Sequence, residues 1–287
     1  MLQVAKSFPA LGRAARSTSD WVDLQWSLVV ELLARVAPQA HGRLLDVGCG
    51  DKPYEHLFLP YVSEYLGIEH EASFNATAAS HAKRRPDLLY DGQRLPFDDR
   101  SFDTVLNVQV LEHTPHPAAL IAEMARVLKD DGVLLLSAPF QFRLHEEPHD
   151  YYRFSPHGLR VLCAAAGLEI VEVHNQGSLW SVLAHKLNSY LAFKVARVGA
   201  LAQSMGKLPH EDRSVARTRF WTLPVVAPLM LGLSGSARVL DRALPDPEEA
   251  LGFLIVARRA RQIAGASDPA PSPTRAFFPD TSPESPR

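Results

Sequence analysis

Short apolar runs alternate with amphipathic stretches along most of the chain, and that alternation sets the expected architecture. Trp21, Leu24, Leu28, Leu32 and Val36 recur at helical spacing after Asp20, which predicts a lead-in helix ending near Pro38. Residues 43–47, 65–69, 88–91, 104–108 and 133–137 read as short buried strands, each followed by a helical or loop segment. Pro53 is placed to open a helix after the first strand. Leu120, Met124 and Leu128 share one face of a helix predicted over 117–128. Ser155 and Pro156 read as N-cap and first residue of a helix that stops at Gly167. Residues 168–173 make a sixth strand and 251–257 a seventh. Strands alternating with helices predict an α/β fold, a doubly wound, mostly parallel seven-stranded sheet covered on both faces.

Two regions depart from that rhythm. Between the sixth and seventh strands lies a stretch of about eighty residues, long for a connection inside a compact domain and therefore expected to be functional. It reads as a helical insertion over about 178–247, with an uncharged run at 220–237. That run reaches the length of a membrane span, but Pro224, Pro228, serines and glycines interrupt it. A helical cap with peripheral membrane contact through 220–237 is the expectation. Residues 261–287, rich in Pro, Ser and Asp, are expected to form a disordered tail, and 1–17 a flexible basic arm. The main, strand-bearing domain is then 18–260.

Composition narrows the functional classes. With 46% hydrophobic and 22% charged residues, 287 residues can bury a large α/β core. A formal net charge of −2 supplies no general field for nucleic acid, and no nucleic-acid partner is expected. Cys49 and Cys163 make no disulfide framework, so a reducing, cytoplasmic setting fits, with membrane association through the insertion. The N-terminus has no apolar h-region; Lys6, Arg13 and Arg16 precede its first acid, Asp20.

The chemistry begins at Leu44-Leu45-Asp46-Val47-Gly48-Cys49-Gly50, a buried strand that opens onto a glycine turn. Glycines there let the backbone turn tightly and approach a ligand. Glu69 ends the next strand, at the distance where dinucleotide folds place an acid on ribose hydroxyls. A nicotinamide fingerprint wants a third glycine for its pyrophosphate, but Pro53 stands there and supplies no N–H. Asp46, two residues before the first glycine, suits an ammonium group better than a pyrophosphate. Adenosylmethionine carries an ammonium and a sulfonium and no phosphate, so the charges favour it.

These segments resemble a family, over roughly 43–174 plus the last strand. LLDVGCGDKPY, YLGIEH, YDGQRLPFDDRSFDTVLNVQVLEHTPHP and ARVLKDDGVLLLSAP are similar to successive motifs of class I S-adenosylmethionine-dependent methyltransferases of the type-11 group. Asp131 stands where a glycine is often found. The resemblance implies a Rossmann-like methyltransferase fold with the seventh strand antiparallel. It implies a cofactor site of Asp46, Gly48, Cys49, Gly50, Glu69, Asp91, Gly92 and Asn107. Glu69 would take the ribose, Asp91 and Gly92 the adenine, and Asn107 the methionine portion. It also implies methyl transfer by direct displacement to a small-molecule, lipid or lipid-linked glycan acceptor. A non-catalytic cofactor-binding scaffold subunit and a nicotinamide-dependent oxidoreductase are the alternatives.

HEEPHDYYRF, residues 145–154, contains the zinc-protease spelling H-E-x-x-H. That spelling works on a helix, where both imidazoles share a face. Pro148 would cost such a helix about 3 kcal/mol, so no metal is expected from it. The segment follows the fifth strand, at the sheet edge where open α/β folds bind ligands. It is expected to be a proton-handling substrate loop, with His149, then His145 and His113, as candidate bases for a hydroxyl acceptor.

Overall fold

The computed structural model describes residues 23–77, 85–197 and 219–260. The expected arm at 1–17 and tail at 261–287 lie outside the described residues. So does 198–218, in the middle of the expected insertion.

Helix α1 (Leu24–Val36) opens where the Asp23 carboxylate accepts from the Trp26 N–H at 3.2 Å, satisfying one of the donors a helix start leaves bare. Strand β1 (Arg43–Val47) follows, then a turn holding Pro53 and a single-turn helix, α2 (Glu55–Phe58), two residues later than expected. Next come β2 (Glu64–His70), α3 (Glu71–Thr77), β3 (Leu88–Tyr90) and β4 (Phe102–Val108). After them run α4 (Pro117–Val127), β5 (Leu128–Pro139), α5 (Pro156–Ala165) and β6 (Leu168–Asn175). Two long helices, α6 (Leu179–Tyr190) and α7 (Leu223–Ala243), precede β7 (Gly252–Arg259).

The seven strands lie in the order β3-β2-β1-β4-β5-β7-β6, with β7 antiparallel to both neighbours and the remaining pairs parallel. Alternation within each buried strand divides its side chains between two layers. Leu45, Val105, Leu134 and Ile255 pack with Ile121 and Met124 of α4 and Leu159 of α5. Their sequence neighbours Leu44, Leu106, Leu135 and Leu254 pack with Val29, Leu32, Leu33 and Val36 of α1. Burial on both faces is why these strands read as continuous apolar runs.

The last two helices are tied together by polar groups. Asp241 of α7 accepts from the N–H groups of Ser178 (3.3 Å) and Ser181 (3.2 Å) and from both hydroxyls, so a neighbouring helix caps α6. Asn188 Nδ2 donates to Ser234 Oγ at 2.8 Å in the buried seam between the two helices. Phe220–Ala243 is long and apolar enough to cross a membrane by length and composition, and most of it is uncovered.

Candidate active site at the carboxyl edge of the sheet

Because β1 lies between β2 and β4, their carboxyl ends converge on one edge. Register pairs Asp46 with Gly67 on one side and Leu106 on the other. Asp46, Glu69 and Asn107 each stand one residue before the end of their strand, so the parallel sheet itself brings them to the same rim.

Asp46 is 2% exposed, and Tyr65 Oη donates to its Oδ2 at 2.5 Å. Burial pushes this carboxyl up to about 7, and the Tyr65 hydroxyl pulls the other way. A buried acid held near neutrality in this way gains strongly from a cationic partner. The turn that follows needs glycine for two different reasons. At Gly48, φ is +77° and an added Cβ would lie 2.4 Å from Val110 Cγ2. At Gly50, φ is +49° and an added Cβ would meet nothing within 4 Å. The first glycine serves packing; the second leaves open space at the rim.

Glu69 closes that turn from β2. Its Oε2 accepts from the Gly50 N–H at 2.8 Å and its Oε1 from the His70 N–H at 2.8 Å. Asn107 is fully buried, with Nδ2 donating to the Val47 carbonyl at 2.9 Å. Its Oδ1 has no hydrogen-bond partner among the described residues, a costly state for a buried amide and one that suits a donor on a ligand. Asp91 and Gly92 follow β3 farther along the rim, and Asp91 Oδ1 accepts from the Gln93 N–H at 2.9 Å to fix the turn. Cys49 is buried, and burial first, then Asp46 and Glu69, push its thiol far above the usual range. It is a small packing residue in the turn, not a nucleophile.

The loops after β4 and β5 form the other part of the edge. The 145–149 segment is not helical. His149 is exposed, with Nδ1 3.0 Å from Tyr151 Oη, while its carbonyl lies 2.8 Å from His113 Nδ1. His113 and His145 meet edge to face, ring centroids 4.7 Å apart. Asp150 anchors the loop: it accepts from the His145 N–H at 2.9 Å and from both Arg153 amino groups at 2.5 and 2.8 Å. Burial opposes its ionisation, but those bonds outweigh burial and hold it at about 2.

Several groups here escape a reading of the sequence. Lys52, buried and with φ +54°, forms an ion pair with Asp87, whose Oδ2 also accepts from the Gly67 N–H at 2.7 Å. Three side-chain amides and a hydroxyl, Gln176 to Gln25 to Gln109 to Ser137, with links of 2.8, 2.8 and 2.9 Å, fasten α1 over the rim. Glu112 is fully buried beside His113. None of these has a spacing signal. Glu112 sits in a polar-looking LEHTPHP run whose burial depends on a loop more than thirty residues away.

A family model described as a methyltransferase domain matches residues 45–136. A "Probable S-adenosylmethionine-dependent methyltransferase" of Mycobacterium tuberculosis (strain CDC 1551 / Oshkosh) is 31% identical over 106 residues, covering 37% of this chain and 39% of the relative. A ubiquinone biosynthesis O-methyltransferase of Nitrosococcus oceani is 28% identical over 166 residues, covering 50% of this chain and 70% of the relative. The match therefore spans well under two thirds of the mycobacterial relative's own length. Among solved structures, an S-adenosylmethionine-dependent methyltransferase from Mesorhizobium loti is 15% identical, with TM-score 0.46, covering 82% of this chain and 98% of that one.

Proposed function

We propose that this protein, whose residues 45–136 match a methyltransferase-domain family model, is a type-11 S-adenosylmethionine-dependent methyltransferase that methylates a small-molecule, lipid or lipid-linked glycan acceptor. The single observation that carries the reading is the rim itself. A buried acid near neutrality, an open glycine turn, an acid closing that turn and an orphaned amide oxygen converge there. They match a ligand that carries an ammonium, hydroxyls and a hydrogen-bond donor. A pyrophosphate would gain nothing from Asp46.

Bound donor supplies a methyl already activated by its sulfonium, so the chain's contribution is chiefly holding the partners in line. Asp46 would hold the ammonium, and Glu69 would accept from ribose hydroxyls while keeping the Gly50 N–H. Asp91 and the Gly92 amide would hold the adenine, and Asn107 Oδ1 would accept from the methionine portion. Where the acceptor is a hydroxyl, a base takes its proton, and His113, His145 and His149 are the groups on that side of the edge.

A lipid-borne acceptor is favoured by the insertion. Leu183, Leu187, Tyr190, Trp221 and Val225 are exposed there, and Lys186, Lys194 and Arg197 are exposed nearby. Apolar side chains beside basic ones suit an anionic membrane surface. Calorimetric titration with adenosylmethionine, followed by acceptor screening with labelled methyl, tests the reading. One binding site and label in an extracted lipid are expected; absence of binding would remove the cofactor assignment.

A further inference from the structure

We propose that Glu112, His113 and His145 form a binding site for a divalent first-row metal ion, through one Glu112 oxygen and the Nε2 atoms of both histidines. Their ligand atoms all lie within 4.8 Å of one another. Glu112 Oε1 is 3.7 Å from His113 Nε2 and 3.9 Å from His145 Nε2. Those separations are too long for hydrogen bonds. Donors around a zinc ion each stand about 2.0–2.2 Å from it, so two of them lie roughly 3–3.5 Å apart, and small side-chain shifts close the difference.

The donors are unspent, which separates this cluster from an ordinary charged patch. Glu112 is fully buried, yet neither of its carboxylate oxygens has a hydrogen-bond partner among the described residues. Both histidines have the other ring nitrogen engaged. His113 Nδ1 is 2.8 Å from the His149 carbonyl, and His145 Nδ1 is 3.2 Å from Asp150 Oδ2. A carbonyl or carboxylate on Nδ1 selects the tautomer whose Nε2 lone pair is free, the usual outer arrangement of metal-binding imidazoles. Asp150 is itself fixed by Arg153, so the outer layer continues a further bond away.

Two imidazoles and one carboxylate suit zinc, iron(II), manganese or cobalt, and leave coordination positions open. Glu146 Oε2, 3.8 Å from His113 Nε2 on an exposed side chain, is within reach of one. The H-E-x-x-H spelling thus contributes a single ligand, His145, and His149 supports the site through its carbonyl. If the methyltransferase reading holds, an open position beside the acceptor loops would receive the acceptor oxygen and ease loss of its proton. Metal binding itself does not rest on that reading.

The test uses the full-length, tag-free protein after chelator dialysis. It is titrated with zinc by calorimetry and with cobalt by visible absorption, in parallel with adenosylhomocysteine. One ion per chain is expected, with cobalt bands of a protein-bound ion. Glu112→Gln, His113→Ala and His145→Ala should each weaken zinc binding at least tenfold and leave adenosylhomocysteine affinity within about threefold. His149→Ala, which keeps its carbonyl, should retain the metal. Absence of stoichiometric metal in the wild-type chain overturns the site, as does binding that survives all three ligand substitutions. Should a variant also lose adenosylhomocysteine binding through misfolding, the wild-type stoichiometry and the cobalt spectrum still decide. Metal binding without adenosylhomocysteine binding would sink the methyltransferase reading and leave the metal site standing.

Discussion

The two parts of the carboxyl edge are built by different means. On the side proposed for the cofactor, Asp46, Glu69 and Asn107 are placed by strand register, and their partners are backbone groups or the next strand's side chain. On the side proposed for the acceptor, Glu112, His113 and His145 come from the segments after β4 and β5; His113 is tied to the His149 carbonyl and the His145 N–H to Asp150, itself fixed by Arg153. A sheet delivers groups to a rim whatever follows it; loops deliver them only if their ties hold. Substitutions on the two sides should therefore fail differently.

The largest effect is expected at Gly48. Gly48→Val puts a branched side chain at φ +77° against Val110, and strain plus overpacking should cost about 2–6 kcal/mol of stability. Urea unfolding checks this. Gly50→Ala, whose Cβ meets only open space, should lose about 1–2 kcal/mol of stability at most, and should weaken adenosylhomocysteine instead. Equal stability of the two variants would erase the distinction between a packing and a ligand-facing glycine.

Arg153→Ala probes the other side. It strips Asp150 of its charged partner and frees the carbonyls of Phe142 and Arg143, at a cost of about 1–3 kcal/mol for the lost charged hydrogen bonds. Hydrogen exchange should rise in 141–154, while cofactor affinity stays unchanged. Glu69→Ala should do the reverse. Adenosylhomocysteine binding should weaken by about 1–3 kcal/mol, with unchanged exchange in the loops, and deoxyribose analogues should be discriminated less than by wild type.

The smallest effect is on pH dependence. Burial raises Asp46 to about 7, with Tyr65 opposing and Glu69, Lys52 and Glu55 acting through charge. An acid raised on folding binds its proton more tightly folded than unfolded, so its contribution to stability falls as pH climbs from its usual value to about 7. Ligand binding runs the opposite way, because an ammonium needs the ionised form. Adenosylmethionine affinity should rise by no more than about tenfold per pH unit toward 7 and level off above it. Asp46→Asn should flatten that profile.

How much could be read in advance follows the same division. Leu44, Leu45 and Leu106 announced central strands because both faces of a parallel sheet are buried. The strand at 133–137 proved longer, Leu128–Pro139, because Phe102 pairs with Leu128 across an irregularity that no apolar run marks. Pro53 did not open its helix: Lys52 takes φ +54° and drops into the fold, which holds Pro53 in a turn. In 145–149, Pro148 did announce that no helix would form. Nothing announced that Glu112 would be buried beneath that loop, since it is a charged residue followed by a polar run and its neighbours in space are distant in sequence.

The most direct test is calorimetric titration of adenosylhomocysteine into wild type, Glu69→Ala and Arg153→Ala. One site per chain is expected, weakened by the first substitution and indifferent to the second. No binding to the wild type, or equal weakening by both substitutions, would contradict a cofactor site held by the ends of β1, β2 and β4.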